Sequence, residues 1–238
     1  MQELPAVRAC FFDRKQEQAQ GVAVRRFAGE HPPEEELAIL QHNRMVVADC
    51  LSTANAQLAM GKQVHGNQVL EVSRSGIHAQ TDGLITTTEG LALAILVADC
   101  AAVLLADPVN RVIAAIHAGW RGAVSGIVQN GIQAMIQTGA EAKQVRSWLS
   151  PCISTAAFEV GEEVAEKFPL KFVHSGPVRP HIDLQGYLKE VLLQSEIAPG
   201  HIFQDSRCTR NQVDLFHSHR RDGESSGRMM AAIVLSDT

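Results

Sequence analysis

Three short segments carry side chains able to bind a metal or attack a substrate: Gln63-Val64-His65-Gly66, Ala98-Asp99-Cys100 and His117-Ala118-Gly119-Trp120-Arg121-Gly122. Each lies where an apolar run begins or ends, and strand ends and the loops after them are where sites are built on a rigid frame. His65, Cys100 and His117 offer two imidazoles and a thiolate. Zinc takes these donors, and three protein ligands leave a fourth position for water or substrate. The separations are 35 and 17 residues, too long for a local finger, so three different strand ends must converge to make the site. The plainer reading is a buried cysteine packed as a small hydrophobe beside ordinary hydrogen-bonded histidines. A third reading needs no metal: Cys100 and His117 as a thiol–imidazole dyad in which the histidine activates a thiolate nucleophile.

The His117–Gly122 segment leads into a helix. Free N–H groups and the positive helix end suit an anion, and Arg121 adds a forked donor set matched to phosphate or carboxylate. The same residues also suit a tight turn with Trp120 packed inside and Arg121 in solvent. The run from Phe216 to Arg228 is dense in donors and reads either as a solvated loop or as a flap supplying arginines to an anionic substrate. Its His217 and His219 share a face if extended, but no further ligand stands nearby. Asp82 and Asp99 are carboxylates able to shuttle a proton. Asn43 and Arg44 are polar points beside an apolar run.

The positioning elements are legible as runs and periods. Gly83–Thr87, Leu91–Ala98, Ala102–Ala106, Val112–Ile116 and Met229–Leu235 read as strands, and continuous apolar runs of this length suit strands covered on both faces. Val124, Ile127, Val128, Ile132, Met135 and Ile136 recur at helical spacing and predict a helix over Ala123–Gln137, stopped at Gly139. Asp183 is a good N-cap for a second helix, and a third is expected over Gly161–Phe168, before Pro169. The segment His31–Glu36 reads as a loop into a helix start, and Val173–Pro180 as another loop. Strands bunch rather than alternate with helices. A mixed α/β (α+β) layered sandwich is therefore expected, with residues 1–238 as a single domain.

The chain has 238 residues, 26 acidic and 21 basic, for a net charge of −5. A polyanion held by charge needs a basic excess, so nucleic acid is not an expected partner. The most apolar stretch, Leu91–Ala106, is interrupted by Asp99 and is shorter than a membrane span. The N-terminal residues lack the pattern of a signal peptide. Five widely spread cysteines with no CxxC pair suggest reduced thiols and a cytoplasmic location rather than a disulfide framework.

Together these motifs resemble the YfiH-like family, also called the laccase-like or multicopper polyphenol oxidase family. The resemblance runs from Asn43 to the C-terminus. It rests on Asn43-Arg44, QVHG at 63–66, TDGLIT at 81–86, ADC at 98–100, HAGWRG at 117–122, PCI at 151–153, FEVG at 158–161, Cys208-Thr209 and SHRRDG with SGR at 218–228. It implies a mixed α/β sandwich related to cysteine hydrolases, and one zinc ion on His65, Cys100 and His117, with copper a less favoured occupant. It also implies phosphorolysis of purine nucleosides (adenosine, inosine, methylthioadenosine) together with adenosine deamination. Peptidoglycan editing on mis-made muropeptide precursors, copper-dependent phenol oxidation, and a non-enzymatic metabolite-binding module are the alternatives. On the phosphorylase reading Asn43, Arg44, Gln63, Arg121 and Arg228 bind substrate or phosphate, and Cys100, His117, Asp82 and Asp99 form the catalytic group. Two positions depart from the family pattern: Val97 stands where threonine is usual, and Ala102 where proline is usual.

Overall fold

The computed structural model describes residues 6–14, 33–51 and 57–236. Two sheets carry the architecture. The first contains β1 (Val7–Phe12), β2 (Gln57–Gly61), β4 (Gly76–His78), β6 (Leu91–Val97) and β13 (Met229–Leu235) in the order β1-β13-β6-β2-β4. The second contains β3 (Val69–Glu71), β5 (Gly83–Thr86), β7 (Ala101–Asp107), β8 (Val112–Ala118), β9 (Arg146–Leu149) and β12 (Ile202–Gln204) in the order β12-β9-β7-β8-β5-β3. A small ribbon pairs β10 (Val173–His174) with β11 (His181–Ile182). The chain moves repeatedly from one sheet to the other, so neither sheet is a continuous stretch of sequence.

Side-chain alternation builds the layers. In β6, Leu91, Leu93, Ile95 and Val97 meet Ala102, Leu104 and Ala106 of β7 and Ile113 and Ala115 of β8 between the sheets. The intervening Ala92, Ala94 and Leu96 turn the other way, with Met230, Ala232 and Val234 of β13, onto Val46 and Val47 of helix α1 (Pro33–Cys50). On the far side, Val103 and Leu105 of β7 and Ala114 and Ile116 of β8 pack against Ile127, Ile132 and Met135 of α3 (Ile127–Gln137). The result is helix, sheet, sheet, helix. The strands read as unbroken apolar runs because both of their faces are covered. Each fully buried Leu or Ile here contributes roughly 1.5–3 kcal/mol relative to exposure, so these three apolar layers hold the frame.

The helix expected over Ala123–Gln137 is two helices, α2 (Trp120–Val124) and α3. Gly126, at φ 85°, breaks the path between them. Its left-handed conformation disfavours any residue with a Cβ. Glycine also matters at Gly131, where an added Cβ would collide with Ile116 Cδ1, so its absence lets α3 sit directly on β8. The helix expected over Gly161–Phe168 is only one turn, α4 (Glu162–Ala165). Asp183 caps α5 (Leu184–Gln194) as expected, accepting the Gly186 N–H at 2.9 Å. The donor-rich C-terminal run contains a one-turn helix, α6 (His219–Asp222).

The reduced-thiol expectation fails for two cysteines. Cys10 on β1 and Cys50 at the end of α1 form a disulfide across 40 residues of sequence, with Cα atoms 6.2 Å apart. Packing α1 on the outer face of the first sheet brings them together, and no local spacing announces it. Cys100, Cys152 and Cys208 are free. Among the described residues no helix is long and apolar enough to cross a membrane.

Candidate metal centre and cavity

Topology delivers the three ligand segments to one end of the sandwich. β2 runs parallel to β6, so both end on the same side. The turn at Ala98–Cys100 then carries the chain from the first sheet into β7 of the second. β8 returns antiparallel to β7 and ends on that side too. β13 is antiparallel to β6, so the segment before it starts from the same end. His65 follows β2, Cys100 follows β6, His117 is the penultimate residue of β8, and the 216–228 run leads into β13.

One ligand atom each from His65, Cys100 and His117 lies within 4.8 Å of the others. The two imidazole rings meet edge to face, with centroids 4.8 Å apart. A tetrahedral ion with bonds of about 2.0–2.3 Å holds its donors about 3.5 Å apart, so this donor set fits one small ion such as zinc.

Asp82, buried, organises the cluster from behind. Its Oδ1 accepts from His117 Nδ1 at 2.7 Å and from the His65 N–H at 2.9 Å. Its Oδ2 accepts from the Val64 N–H at 3.0 Å and the Gly66 N–H at 2.8 Å. One carboxylate thus fixes the His117 ring, leaving Nε2 for the site, and holds the loop that places His65 at φ 60°. A carboxylate on the second nitrogen of a metal-binding histidine orients the ring and raises its basicity. Gln63 adds a second clamp. Its amide donates to Leu96 O at 2.8 Å and accepts from Leu96 N at 2.8 Å, pinning the same loop to β6.

Two glycines of the HAGWRG segment serve close packing rather than ligand approach. A Cβ on Gly119 would lie 2.8 Å from Cys100 Sγ and 3.2 Å from His65 Cδ2. One on Gly122 would lie 2.8 Å from Gly66 O. The segment therefore seats the loop bearing one ligand against the loop bearing another.

The electrostatics favour a thiolate. Burial raises the Cys100 thiol, but the charge and hydrogen bonds of His117 and then His65 outweigh it and bring the pKa to about 6. Burial lowers His117, yet the Cys100 thiolate and Asp82 outweigh that and lift it to about 9. Asp82 is desolvated, but its bonds to His117 and the loop N–H groups hold it below the ordinary carboxylate range. In metal-free protein, Cys100 is thus thiolate above about pH 6. Its alkylation by iodoacetamide should rise through pH 6 and level off near pH 7, whereas an ordinary thiol, titrating near 8.5, gains rate well above pH 7. A pH–rate profile following the ordinary thiol curve would contradict this electrostatic picture, and added zinc should block the reaction. Cys152 is different: burial pushes its thiol well above the ordinary range, and it faces Cys208 across an isolated bridge as a packing residue.

A cavity of about 780 Å³ opens over the cluster. Among the sequence-predicted residues, Gln63, His65, Asp99, Cys100, His117, Arg121 and Arg228 line it. Arg121 stacks its guanidinium over the Trp120 ring, 4.5 Å from the centroid. Asn43 and Arg44 do not line the cavity. They belong to α1 on the outer face of the first sheet, where Asn43 is buried with Nδ2 3.5 Å from Met60 Sδ. Asp82 stands behind the cluster rather than in the cavity wall, with both oxygens occupied. His217 and His219 join no metal-capable cluster among the described residues. Arg179 and Arg220 line the cavity and were not singled out. Arg220 belongs to the donor-dense SHRRDG run, whereas Arg179 sits in a loop with no pattern to mark it. Ala102 explains one departure from the family pattern: its N–H donates to Ser150 Oγ at 2.9 Å, a bond proline cannot make.

A two-sheet sandwich with a His2Cys cluster under an arginine-rimmed cavity defines a class of metal-capable enzyme scaffold. Residues 8–236 match the family described as multi-copper polyphenol oxidoreductase laccase, and the chain belongs to that family, the YfiH-like proteins. It is similar to a purine nucleoside phosphorylase of Deinococcus radiodurans, 38% identical over 197 residues, covering 81% of this chain and 76% of the relative. It is also similar to adenosine deaminase RL5 of an unknown prokaryotic organism, 31% identical over 64% of this chain and 61% of that protein. The crystal structure of Bacillus licheniformis hypothetical protein YfiH superposes with a TM-score of 0.83 at 27% identity, covering 97% of this chain and 93% of that one.

Proposed function

We propose that this chain is a zinc-dependent purine nucleoside phosphorylase that also deaminates adenosine. The observation that carries the reading is the juxtaposition of the His65–Cys100–His117 cluster with a cavity bordered by Arg121, Arg179, Arg220 and Arg228. The names of the relatives support it. His65, Cys100 and His117 would hold the zinc, which when bound supplies a Lewis acid and an acidified water. The residues of the chain do the rest. Leu96, Ile153 and Phe158 give the cavity an apolar wall for a purine face, and Arg121, whose one partner among the described residues is the Trp120 ring, would take phosphate. In phosphorolysis a phosphate oxygen bonds to C1′ as the bond from C1′ to the base breaks. The base leaves with the electron pair and takes up a proton.

The test is to incubate the protein with nucleosides and phosphate and identify ribose 1-phosphate and free base by mass. Arg121→Ala should raise KM for phosphate about 10–100-fold, the worth of a charge-assisted hydrogen bond, with folding intact. An unchanged KM would remove Arg121 from the phosphate site.

The Cys100 thiolate beside His117 also favours a metal-free hydrolase dyad acting on an amide, as peptidoglycan editing would require. Activity that survives chelation but is lost to iodoacetamide supports the dyad. Activity lost on chelation and restored by zinc supports the metal. Phenol oxidation has less behind it: no second cluster of three metal-capable His, Cys, Asp or Glu side chains occurs among the described residues, and passing four electrons to oxygen needs several copper sites.

A further inference from the structure

We infer that Asp99 is a positioning residue, a strut locking the arginine-bearing C-terminal segment in register with the metal cluster, rather than a proton shuttle. The inference rests on the phosphorylase reading only for its kinetic consequence. Asp99 precedes Cys100 in the turn between the two sheets, is buried, and holds φ at 81°. A non-glycine residue in that conformation costs energy and persists where its surroundings over-determine it. The surroundings here are plain. Oδ1 accepts from Thr209 Oγ1 at 2.6 Å. Oδ2 accepts from Ser218 Oγ at 3.0 Å and from the Arg220 N–H at 2.6 Å. The Asp99 backbone carbonyl accepts the Ile153 N–H at 3.0 Å.

Three segments that border the cavity (the ligand-bearing turn, the 151–153 segment and the start of α6) therefore meet on one residue, with Thr209 bracing it from outside the lining. Ser218 is also the N-cap of α6, its Oγ accepting the Arg221 N–H, so Asp99 holds the cap that starts the helix. His219, Arg220, Glu224 and Arg228 then enter the cavity wall from that helix and the turn after it. With three donors on its two oxygens and one carbonyl bond, Asp99 is occupied by structure. Removing it should leave the three metal ligands in place while loosening the wall opposite them.

The experiment compares the zinc-loaded wild type with Asp99→Ala, Thr209→Val and Ser218→Ala. The last two remove one donor each at residues outside the cavity lining and keep the test open if Asp99→Ala fails to fold. Zinc content should stay at one per chain in all of them. Amide exchange at residues 218–221, measured by mass spectrometry, should accelerate about 10-fold or more in Asp99→Ala, and by smaller factors in the single-donor variants, as local opening becomes easier. KM for phosphate should rise while the pH profile of kcat keeps its shape, with kcat/KM falling about 100-fold, the cost of a displacement near 1 Å. Exchange at 218–221 unchanged from wild type, in any variant that folds, overturns the strut. So does loss of a limb of the kcat pH profile with KM unchanged, which is the mark of a proton-transfer residue. Exchange is read without substrate. If the wild type itself releases no base from nucleosides, the phosphorylase reading fails while the strut is still decided.

Discussion

Replacing Asp82 with alanine should destabilise the protein by about 3–6 kcal/mol and weaken zinc binding at least 10–100-fold. The size follows from the number of partners. The carboxylate accepts the N–H groups of Val64, His65 and Gly66 and the Nδ1 proton of His117. The buried His117 donor, left unpaired, costs about 1–3 kcal/mol, and the three part-buried N–H groups, which water can reach, lose about 0.5–1.5 kcal/mol each. For a domain of this size each kcal/mol moves Tm by about 2–4 °C, so a drop of roughly 10–20 °C is expected in thermal unfolding. The metal effect has two sources: His117 loses the partner that fixes its ring, and the His65 loop loses its anchor. A zinc titration of the folded variant reads the second quantity. A Tm within about 2 °C of wild type, together with unchanged affinity, would refute the organising role.

Gly119→Ala carries the second large effect, and it separates site from scaffold. The new methyl would lie 2.8 Å from Cys100 Sγ and 3.2 Å from His65 Cδ2, between two of the three donors. Overpacking of this kind costs about 1–3 kcal/mol, and here the relief comes from moving ligand side chains. Zinc affinity should fall about 10–100-fold while circular dichroism stays native. Gly200→Ala is the control, since nothing lies within 4 Å of a Cβ there. Equal zinc affinity in Gly119→Ala and wild type would show that the two loops can separate without loss of the cluster.

The frame was more legible than the site. The strands over 83–86, 91–97 and 229–235 stand within a residue of their apolar runs, because burial on both faces leaves no polar positions to blur the signal. The split at Gly126 was hidden because α2 and α3 share one apolar face, so the period continues across the break. His65, Cys100 and His117 are 35 and 17 residues apart, and spacing alone cannot join them. Their convergence depends on β2, β6 and β8 all ending on one side, which is topology rather than local pattern, and only the family resemblance supplied it. Asp82 and Asp99 were visible as carboxylates beside apolar runs, but a sequence does not reveal how many donors a carboxylate has. Asn43 and Arg44 fall away from the cavity because α1 packs on the outer face of the first sheet, away from the second. The Cys10–Cys50 bond joins elements with no shared motif.

The placement of β13 has a consequence for biogenesis. It is the last strand of the described chain, yet it lies inside the first sheet, paired with β1 on one side and β6 on the other. A nascent chain that has emerged only through residue 228 has its N-terminal strand and β6 waiting as two unsatisfied edges, the kind of surface that templates association between chains. The arginine segment reaches the metal ligands at the same late stage, because it is tethered directly to that strand. Assembly of the sheet and completion of the cavity are thus a single closing event that waits for β13. Chaperone dependence of this protein should concentrate in the interval before Met229–Leu235 leaves the ribosome.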